Sequence, residues 1–313
     1  MITIRKYQPT DADMWNDFVA RAKNATFLHN RNYMDYHSDR FDDFSLMAFD
    51  GTRLIALLPA NRVGDTLYSH QGLTYGGWLM PVRHFNAATM LDVADAMVEF
   101  LRSESIKTLI YKAVPHIFHR YPAEEDLYAL FRLGAREIIT NMSSAVFYRG
   151  SEVPYNRRVR RACSLALDNG VTVAQSTDYE AFWRILTDNL QEKYGVNPVH
   201  SLDEIVRLSK AFPQEINLYM AYAEGEPVAG CVIYDHGEAV HAQYSSANPH
   251  GAEIGALAYL FHHLIADVYA DRTYFDFGIS NERDGTYLNA NLIEMKSGQG
   301  ARGIAYHIYQ LDL

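Results

Sequence analysis

The chain has little of what several large classes of protein require. Its 313 residues contain two cysteines, Cys163 and Cys231, and neither has a CxxC partner. This predicts no disulfide framework and no zinc or redox motif, and it fits a reducing compartment. No segment approaches the roughly 18 apolar residues of a membrane-spanning helix, and the N-terminus lacks the apolar core of a signal peptide. We therefore expect a cytoplasmic protein with no membrane segment and no bound metal.

Positive charge is also scarce. The formal net charge is −10, with 28 Lys and Arg against 38 Asp and Glu, and most of the acidic excess lies in residues 151–313. Without a broad basic surface, the release of counterions supplies little affinity for nucleic acid, so we expect no general nucleic-acid binding. One local basic cluster, Arg157-Arg158-Val159-Arg160-Arg161, remains available for a phosphorylated small molecule.

The familiar catalytic signatures are missing too. The sequence contains no Walker A loop and no HExxH, and Gly278-Ile279-Ser280-Asn281-Glu282 breaks the GxSxG pattern of a nucleophile elbow. Serine hydrolase, P-loop and zinc-protease chemistry are therefore not predicted. Function has to be sought in less specific features.

What the chain does contain is an internal repeat, because residues 216–280 resemble residues 42–113. In each copy three short apolar runs are separated by turn residues, such as Asp50-Gly51 and Glu224-Gly225, which supply the positive φ of a hairpin. A stretch with helical apolar spacing and a further strand follow in both copies. The order β-β-β-α-β therefore occurs twice.

The similarity extends upstream of each copy. Thr10 with Asp13, and Thr177 with Glu180, have the spacing of helix capping residues and predict a helix before each meander. We interpret the repeat as a gene duplication that gives two domains, residues 1–150 and 151–313. The alternative is that a β-meander followed by a helix is a common arrangement that needs no duplication.

Polar side chains follow the last strand of the second copy. Asp276 lies in an apolar strand, where a carboxylate either needs a buried partner, faces a cleft or caps the next turn. A polar loop through Ser280, Glu282 and Asn289 comes next, and Lys296 opens a glycine-rich loop in which the backbone can approach a ligand. Pattern alone leaves Lys296 open to two interpretations, a solvated side chain or a site residue.

The basic cluster lies on a helix predicted over residues 156–167 and ended by Asn169-Gly170. Arg157 and Arg161 share one face of this helix at i,i+4 spacing. The cluster is either a solvated surface between the domains or a phosphate site.

Together these features resemble the Fem-type family, relatives of the peptidoglycan bridge-forming aminoacyltransferases. The resemblance covers about residues 155–300. It rests on the arginine helix, Val228-Ala229-Gly230, His241-Ala242-Gln243-Tyr244-Ser245, Phe275-Asp276-Phe277-Gly278, Gly285-x-x-Leu288-Asn289 and Lys296-Ser297-Gly298. The family implies an α/β (α+β) fold of two tandem GNAT-like domains, each with a mixed sheet flanked by helices. The first domain would then be a degenerate partner that shapes the acceptor site.

The resemblance also implies an activity, transfer of an acyl or aminoacyl group to a primary amine. Our prediction is an N-acyltransferase that uses acyl-CoA and a small nucleotide- or sugar-linked acceptor of the cell envelope. The alternatives are an aminoacyl-tRNA donor and an inactive nucleotide- or carbohydrate-binding protein with the same fold. Gly251, Gly255 and Ala256 stand where GNAT enzymes cradle the CoA pyrophosphate at a helix N-terminus, although Glu253 interrupts the usual motif.

The site is predicted on one face of the second domain. In the mechanism that such a site supports, a neutral amine attacks the donor carbonyl, a base removes its proton, and N–H groups hold the oxyanion. His241 and Gln243 share a face by the period of a strand, and Tyr244 points the opposite way unless a β-bulge intervenes, which a GNAT-like site would require. The predicted catalytic residues are Lys296, Asp276 and Tyr244, with Lys296 stabilising an oxyanion or a substrate phosphate. The predicted substrate-binding residues are His241, Gln243, Ser280, Glu282, Asn289, Arg157 and Arg161.

Overall fold

A computed structural model describes residues 1–148 and 153–313. The helices are α1 (Ala12–Arg21), α2 (Arg31–Met34), α3 (Ala87–Ser103), α4 (Glu125–Arg132), α5 (Arg157–Asp168), α6 (Tyr179–Tyr194), α7 (Leu202–Ala211), α8 (Pro249–Glu253), α9 (Ala256–His263) and α10 (Ala290–Gly298). The strands are β1 (Ile2–Lys6), β2 (Asp42–Asp43), β3 (Leu46–Asp50), β4 (Arg53–Leu58), β5 (Asn61–Val63), β6 (Thr66–Tyr68), β7 (Thr108–Lys112), β8 (Arg136–Phe147), β9 (Thr172–Ser176), β10 (Ile216–Ala223), β11 (Glu226–Asp235), β12 (Ala239–Ala247), β13 (Tyr274–Ile279), β14 (Asn281–Glu282), β15 (Tyr287–Leu288) and β16 (Arg302–Asp312).

The chain divides into two compact units. The first consists of Met1–Asn141, Arg283–Thr286 and Ala305–Leu313, and the second of Met142–Glu282 and Tyr287–Ile304. The predicted boundary near residue 150 lies outside the described residues.

In the first unit, β1, β3 and β4 form an antiparallel sheet, and the order β2-β5-β6-β7-β16 describes a second group of strands. The strands β6 and β7 are parallel, and α3 connects them. The apolar stripe of α3, including Met90 and Met97, packs into a core with Leu46, Leu58 and Leu109. The helix and the strand after the meander are present as predicted, but five short strands, β2 to β6, precede the helix instead of three, and β5 and β6 pair outside the sheet of β3 and β4.

A buried acid in the first unit makes its stability depend on pH. The Asp126 carboxylate accepts a 2.5 Å hydrogen bond from the Tyr111 hydroxyl, and burial raises the pKa of Asp126 to about 7. A raised pKa means that the folded state holds a proton that the unfolded state has lost between about pH 4 and pH 7, so stability falls as pH rises through this window.

We therefore expect the difference in unfolding free energy between wild type and Asp126→Asn to shrink from pH 4 to pH 7 and then level off. Urea denaturation at several pH values measures this difference. Buried histidines such as His29, whose pKa burial lowers to about 4, titrate in both proteins with the opposite slope and cancel in the comparison. A difference that does not change with pH would contradict the assignment.

The second unit is built on the strand order β8-β13-β12-β11-β10-β9. Both faces of its central strands are covered. Cys231 and Ile233 belong to a core with Phe261 of α9, whereas Gly230 faces Phe182 of α6. This double burial explains the long apolar runs of β10 and β11.

The helix before each meander is present, but its capping residues differ from the prediction. The helix α6 is capped by the Asp178 side chain, which accepts from the Ala181 N–H, rather than by Thr177. A 3₁₀ turn, Pro9–Asp11, precedes α1. The basic helix α5 is confirmed, with the Asn156 side chain as its cap.

Candidate acyltransfer site

The centre of the candidate site is the place where two parallel strands separate. The strands β12 and β13 pair only through Ala239–His241 and Tyr274–Asp276. Asp276 is fully buried, and its carboxylate is bonded on both oxygens. The Ser143 hydroxyl donates to Oδ1 at 2.6 Å, and Nδ1 of His241 lies 2.6 Å from Oδ2. The sequence left three possibilities open for Asp276. In the structure it is buried with partners, because β8 brings Ser143 next to it.

This arrangement orients the imidazole of His241. Because Nδ1 faces the carboxylate of Asp276, the proton of the neutral ring belongs on Nδ1, and Nε2 then carries the lone pair that can accept a proton. The His241 side chain is only 12% exposed. In many general-base sites a buried carboxylate orients the base in the same way.

The predicted β-bulge is present in β12. Val232 pairs with Tyr244 while Ile233 pairs with Ala242, so Gln243 is the extra residue. An extra residue leaves the strand ladder locally unpaired and redirects the side chains after it.

Tyr244 is anchored on the other side of the bulge. Its hydroxyl lies 2.5 Å from Nδ1 of His200, and its ring packs edge-on against Trp183. Burial raises the pKa of Tyr244 to about 12. These contacts tie the segment before α7 to β12.

Lys296 lies in the last turn of α10, so its placement in a glycine-rich loop was wrong. The side chain of Asn289 caps the start of the helix by accepting from the Leu292 N–H, and the helix continues through Gly298. Lys296 is 4% exposed, and its ammonium donates to the Gly278 and Ile279 carbonyls at 2.7 and 2.8 Å. Burial lowers the pKa of Lys296 to about 8, and the charge of Asp276 partly opposes that shift.

The polar loop after β13 packs close to these groups. The backbone of Ser280 bonds to Met142 and Asn289, and its hydroxyl oxygen is buried without a hydrogen-bond partner among the described residues. The Asn289 amide also donates to the Glu282 carboxylate at 3.1 Å. Asn289 therefore has a structural role in α10 and β14, whereas the Ser280 hydroxyl can still form a further hydrogen bond.

A cavity of about 520 Å³ lies beside α10. Gly251 and Gly255 line it, whereas Ala256 is fully buried and does not. A Cβ on Gly251 would come within 2.2 Å of the Val228 carbonyl oxygen, and one on Gly255 within 2.5 Å of the Ala162 carbonyl oxygen. Both glycines are therefore required by close packing.

Several residues of the cavity were missed by the sequence analysis. Arg158, Lys193 and Glu294 bring charge to its lining, and Gln299, which is 2% exposed, also lines it. The side-chain oxygen of Gln299 is buried and has no partner among the described residues. Only the basic cluster offered a signal, and that signal pointed to Arg157 and Arg161 rather than Arg158.

The structure places Arg157 and Arg161 outside this cavity. Together with Arg160 they border a separate surface depression of about 390 Å³ on α5. The candidate residues therefore form a buried group around Asp276, a bulge region around Gln243 and an exposed arginine surface.

Comparison with known proteins defines the class of fold. Residues 155–286 match the family model described as an acetyltransferase (GNAT) domain, so this part of the chain carries a GNAT-type acyltransferase domain. The structure of FemX is similar to this chain, with a TM-score of 0.68, 13% identity, and coverage of 99% of this chain and 97% of that one.

Two further structures are also similar over nearly the whole chain. One is the C-terminal domain of a putative lysylphosphatidylglycerol synthetase from Agrobacterium fabrum, with a TM-score of 0.62, 11% identity, and coverage of 97% and 92%. The other is a tandem GNAT protein from the clavulanic acid biosynthesis pathway, with a TM-score of 0.51, 12% identity, and coverage of 100% and 98%. None of the curated proteins compared matches this sequence. The α/β fold with tandem GNAT-like units, predicted from the Fem-type resemblance, is confirmed.

Residues 1–148 and 153–313 lack two further features. No helix there is long and apolar enough to cross a membrane. No group of three or more His, Cys, Asp or Glu side chains there could hold a metal ion.

Proposed function

We propose that this protein is an N-acyltransferase that moves an acyl group from an acyl-CoA thioester to a primary amine. The observation that carries the proposal is the separation of β12 from β13 directly after the His241–Asp276 pair, with a bulge at Gln243. Acyl transfer requires a base, an oxyanion site and a donor channel close together. We assign the base to the separated strands, the oxyanion site to the bulge and the donor channel to the cavity beside α10.

The cavity suits the pantetheine arm of the donor. That arm contains secondary amides, and the buried side-chain oxygen of Gln299, which has no partner among the described residues, can accept a hydrogen bond from one of them. Arg158 and Lys193 give the lining positive charge for a phosphate. Gly251 and Gly255, proposed from the sequence as donor-binding residues, contribute by letting α8 and α9 approach their neighbours closely.

His241 is proposed as the general base. The amine nitrogen attacks the thioester carbonyl, Nε2 of His241 accepts the proton, and the thiolate departs as the amide bond forms. Asp276 holds the tautomer and stabilises the imidazolium, and Ser143 holds Asp276. In this assignment Asp276 is a positioning residue, and Tyr244 orders the segment around His200.

Lys296 is proposed to stabilise the oxyanion. An ammonium has three N–H donors, and two of those of Lys296 bond to the backbone of β13, so the third can donate to a substrate oxygen. The extra residue Gln243 offers a backbone N–H for the same purpose. The Ser280 hydroxyl is a further group that a substrate can use.

The acceptor is proposed to be a small molecule with a primary amine, of the nucleotide- or sugar-linked cell-envelope type. The same site would serve an aminoacyl-tRNA donor, and an inactive member of the fold would retain binding alone. The identity of the bound ligand distinguishes the acyl-CoA donor, the aminoacyl-tRNA donor and the inactive binding protein. A thermal-shift series with acyl-CoAs of increasing chain length, UDP-sugars and a tRNA pool is the first experiment.

In that experiment we expect stabilisation by an acyl-CoA of roughly 2.7 kcal/mol when its concentration is 100 times its dissociation constant. Salt-sensitive binding of tRNA with no response to any thioester would replace the CoA donor by an aminoacyl-tRNA donor. Binding of a nucleotide sugar without release of thiol from any thioester would favour the inactive function.

Gln299→Leu tests whether the cavity beside α10 binds the pantetheine arm of the donor. We expect the KM for acyl-CoA to rise by about threefold to tenfold with little change in kcat, because one neutral hydrogen bond is worth about 0.5–1.5 kcal/mol. Thiol release measured against donor concentration gives both constants. Met295→Leu, on the same lining, is the control for packing, and equal effects of the two changes would contradict the hydrogen bond.

A further inference from the structure

An unpaired basic surface covers the outer face of α5. Arg157, Arg160 and Arg161 are exposed and border a depression of about 390 Å³ that Leu165 and Asp168 also line. Within the described part of the chain, no carboxylate forms an ion pair with these guanidinium groups, and Arg160 donates to the Tyr155 carbonyl at 2.8 Å. We call Arg157, Arg160 and Arg161 the arginine surface.

The position of this surface is unfavourable for the helix itself. Positive side chains in the first turns of a helix oppose its macrodipole and destabilise it at low ionic strength. The first turn of α5 contains no acidic residue to compensate. A local arrangement that costs stability without an internal partner is typical of a binding surface. In a protein with a net charge of −10, it indicates a specific anionic partner.

The arginine surface adjoins the mouth of the donor cavity. Arg158 lies on the same turn of α5 and lines the cavity, as does Asn156 just before the helix. A partner bound to the arginine surface can therefore present an arm to the cavity, where the side-chain oxygen of Gln299 has no hydrogen-bond partner within the described residues.

The start of α9 offers little room for a nucleotide diphosphate. The carbonyl of Ala162 packs against Gly255, and the Asn248 side chain already accepts from the Gly251 N–H. The exposed Glu253 adds negative charge at the same place. A single phosphate beside Arg158 is better matched to these surroundings than a diphosphate cradled by the helix.

We propose that the acyl group is delivered by an acidic carrier protein that docks on the arginine surface and inserts a phosphopantetheine arm into the cavity. This inference rests on the N-acyl transfer of the proposed function and replaces the CoA portion of its thioester donor by a carrier protein. In the reaction the thioester C–S bond breaks and the amide C–N bond forms. The proton of the amine passes to His241 and from there to the departing thiolate, so that the free thiol stays on the carrier. The exposed Leu165 provides an apolar contact within the charged surface.

Binding of an acyl carrier protein to the full chain tests the proposal without knowledge of the acceptor. Isothermal titration would compare the carrier with its phosphopantetheine arm and the same carrier without it, at low and at 0.5 M salt. We expect the arm to tighten binding by about tenfold or more, and salt to weaken both complexes. The charge-reversal variant Arg157→Glu/Arg160→Glu/Arg161→Glu is expected to lose at least about tenfold in affinity.

A matched control is Arg102→Glu/Arg132→Glu/Lys210→Glu, which changes the net charge equally at exposed positions of other helices. We expect it to bind the carrier within about twofold of wild type. Equal losses in the two triple variants, or equal binding with and without the arm, would overturn the proposal. Binding of acyl-CoA without binding of the carrier would refute the carrier and leave the proposed function intact. Binding of neither thioester would refute the proposed function, and binding of a tRNA pool to the arginine surface would replace the carrier by nucleic acid.

Discussion

His241→Ala should lower kcat by about 10²–10⁴-fold, the range for loss of a general base. The expectation follows from the 2.6 Å contact between Nδ1 of His241 and the buried carboxylate of Asp276, which leaves Nε2 for the proton of the amine. Thiol release from the acyl-CoA selected by binding, with a panel of primary amines, measures kcat. The KM for the donor should change little, because the base acts on the acceptor.

The surface pair His263–Asp267 provides the control. Its Nδ1–Oδ2 distance is 2.8 Å, and it joins the last residue of α9 to the helical segment Leu264–Val268 rather than lying at the separation of the strands. His263→Ala should leave kcat within about twofold of wild type, because exposed pairs contribute little. Asp276→Asn should also lower kcat strongly, because an amide no longer fixes the tautomer of His241. A melting curve distinguishes this effect from unfolding, and a fully active His241→Ala variant would remove the histidine from the mechanism.

The sequence was most informative where the determining interactions are local. The apolar stripe of α3 and the turns at Gly51 and Gly225 could be read directly because helical spacing and positive φ depend on neighbouring residues. The bulge at Gln243 was expected from the type of site rather than from a pattern. The same order of strands and helix occurs twice in the sequence, and this repetition predicted the tandem fold.

Partners brought from distant parts of the chain could not be predicted. Ser143 meets Asp276 only because β8 pairs with β13 across 133 residues. The glycines that follow Lys296 suggest a loop, yet α10 continues through Gly298 and includes Lys296 in its last turn. Likewise, the i,i+4 spacing selected Arg157 and Arg161, whereas the packing of α5 directs Arg158 to the cavity.

Lys296→Met should reduce kcat by about 100-fold or more, the scale observed when one oxyanion donor is lost. The charged ammonium is the form that donates, so the rate of wild type should fall as pH rises through about 8, the pKa to which burial lowers this lysine. Lys296→Arg should retain part of the activity and lose this alkaline decline, because guanidinium stays charged. Rate–pH profiles of the three proteins provide the comparison.

The stability of the protein should also depend on the titration of Lys296. It should rise with pH, whereas the rate falls. Because the pKa of Lys296 lies below its usual value of 10.5, the folded state holds fewer protons than the unfolded state between about pH 8 and pH 10.5. The unfolding free energy of wild type should therefore rise through this window relative to Lys296→Met. Lys210→Met, an exposed change on α7, should alter neither the rate profile nor this slope. If Lys296→Met kept both the wild-type rate and its alkaline decline, the oxyanion would have to be held by the backbone at Gln243 alone.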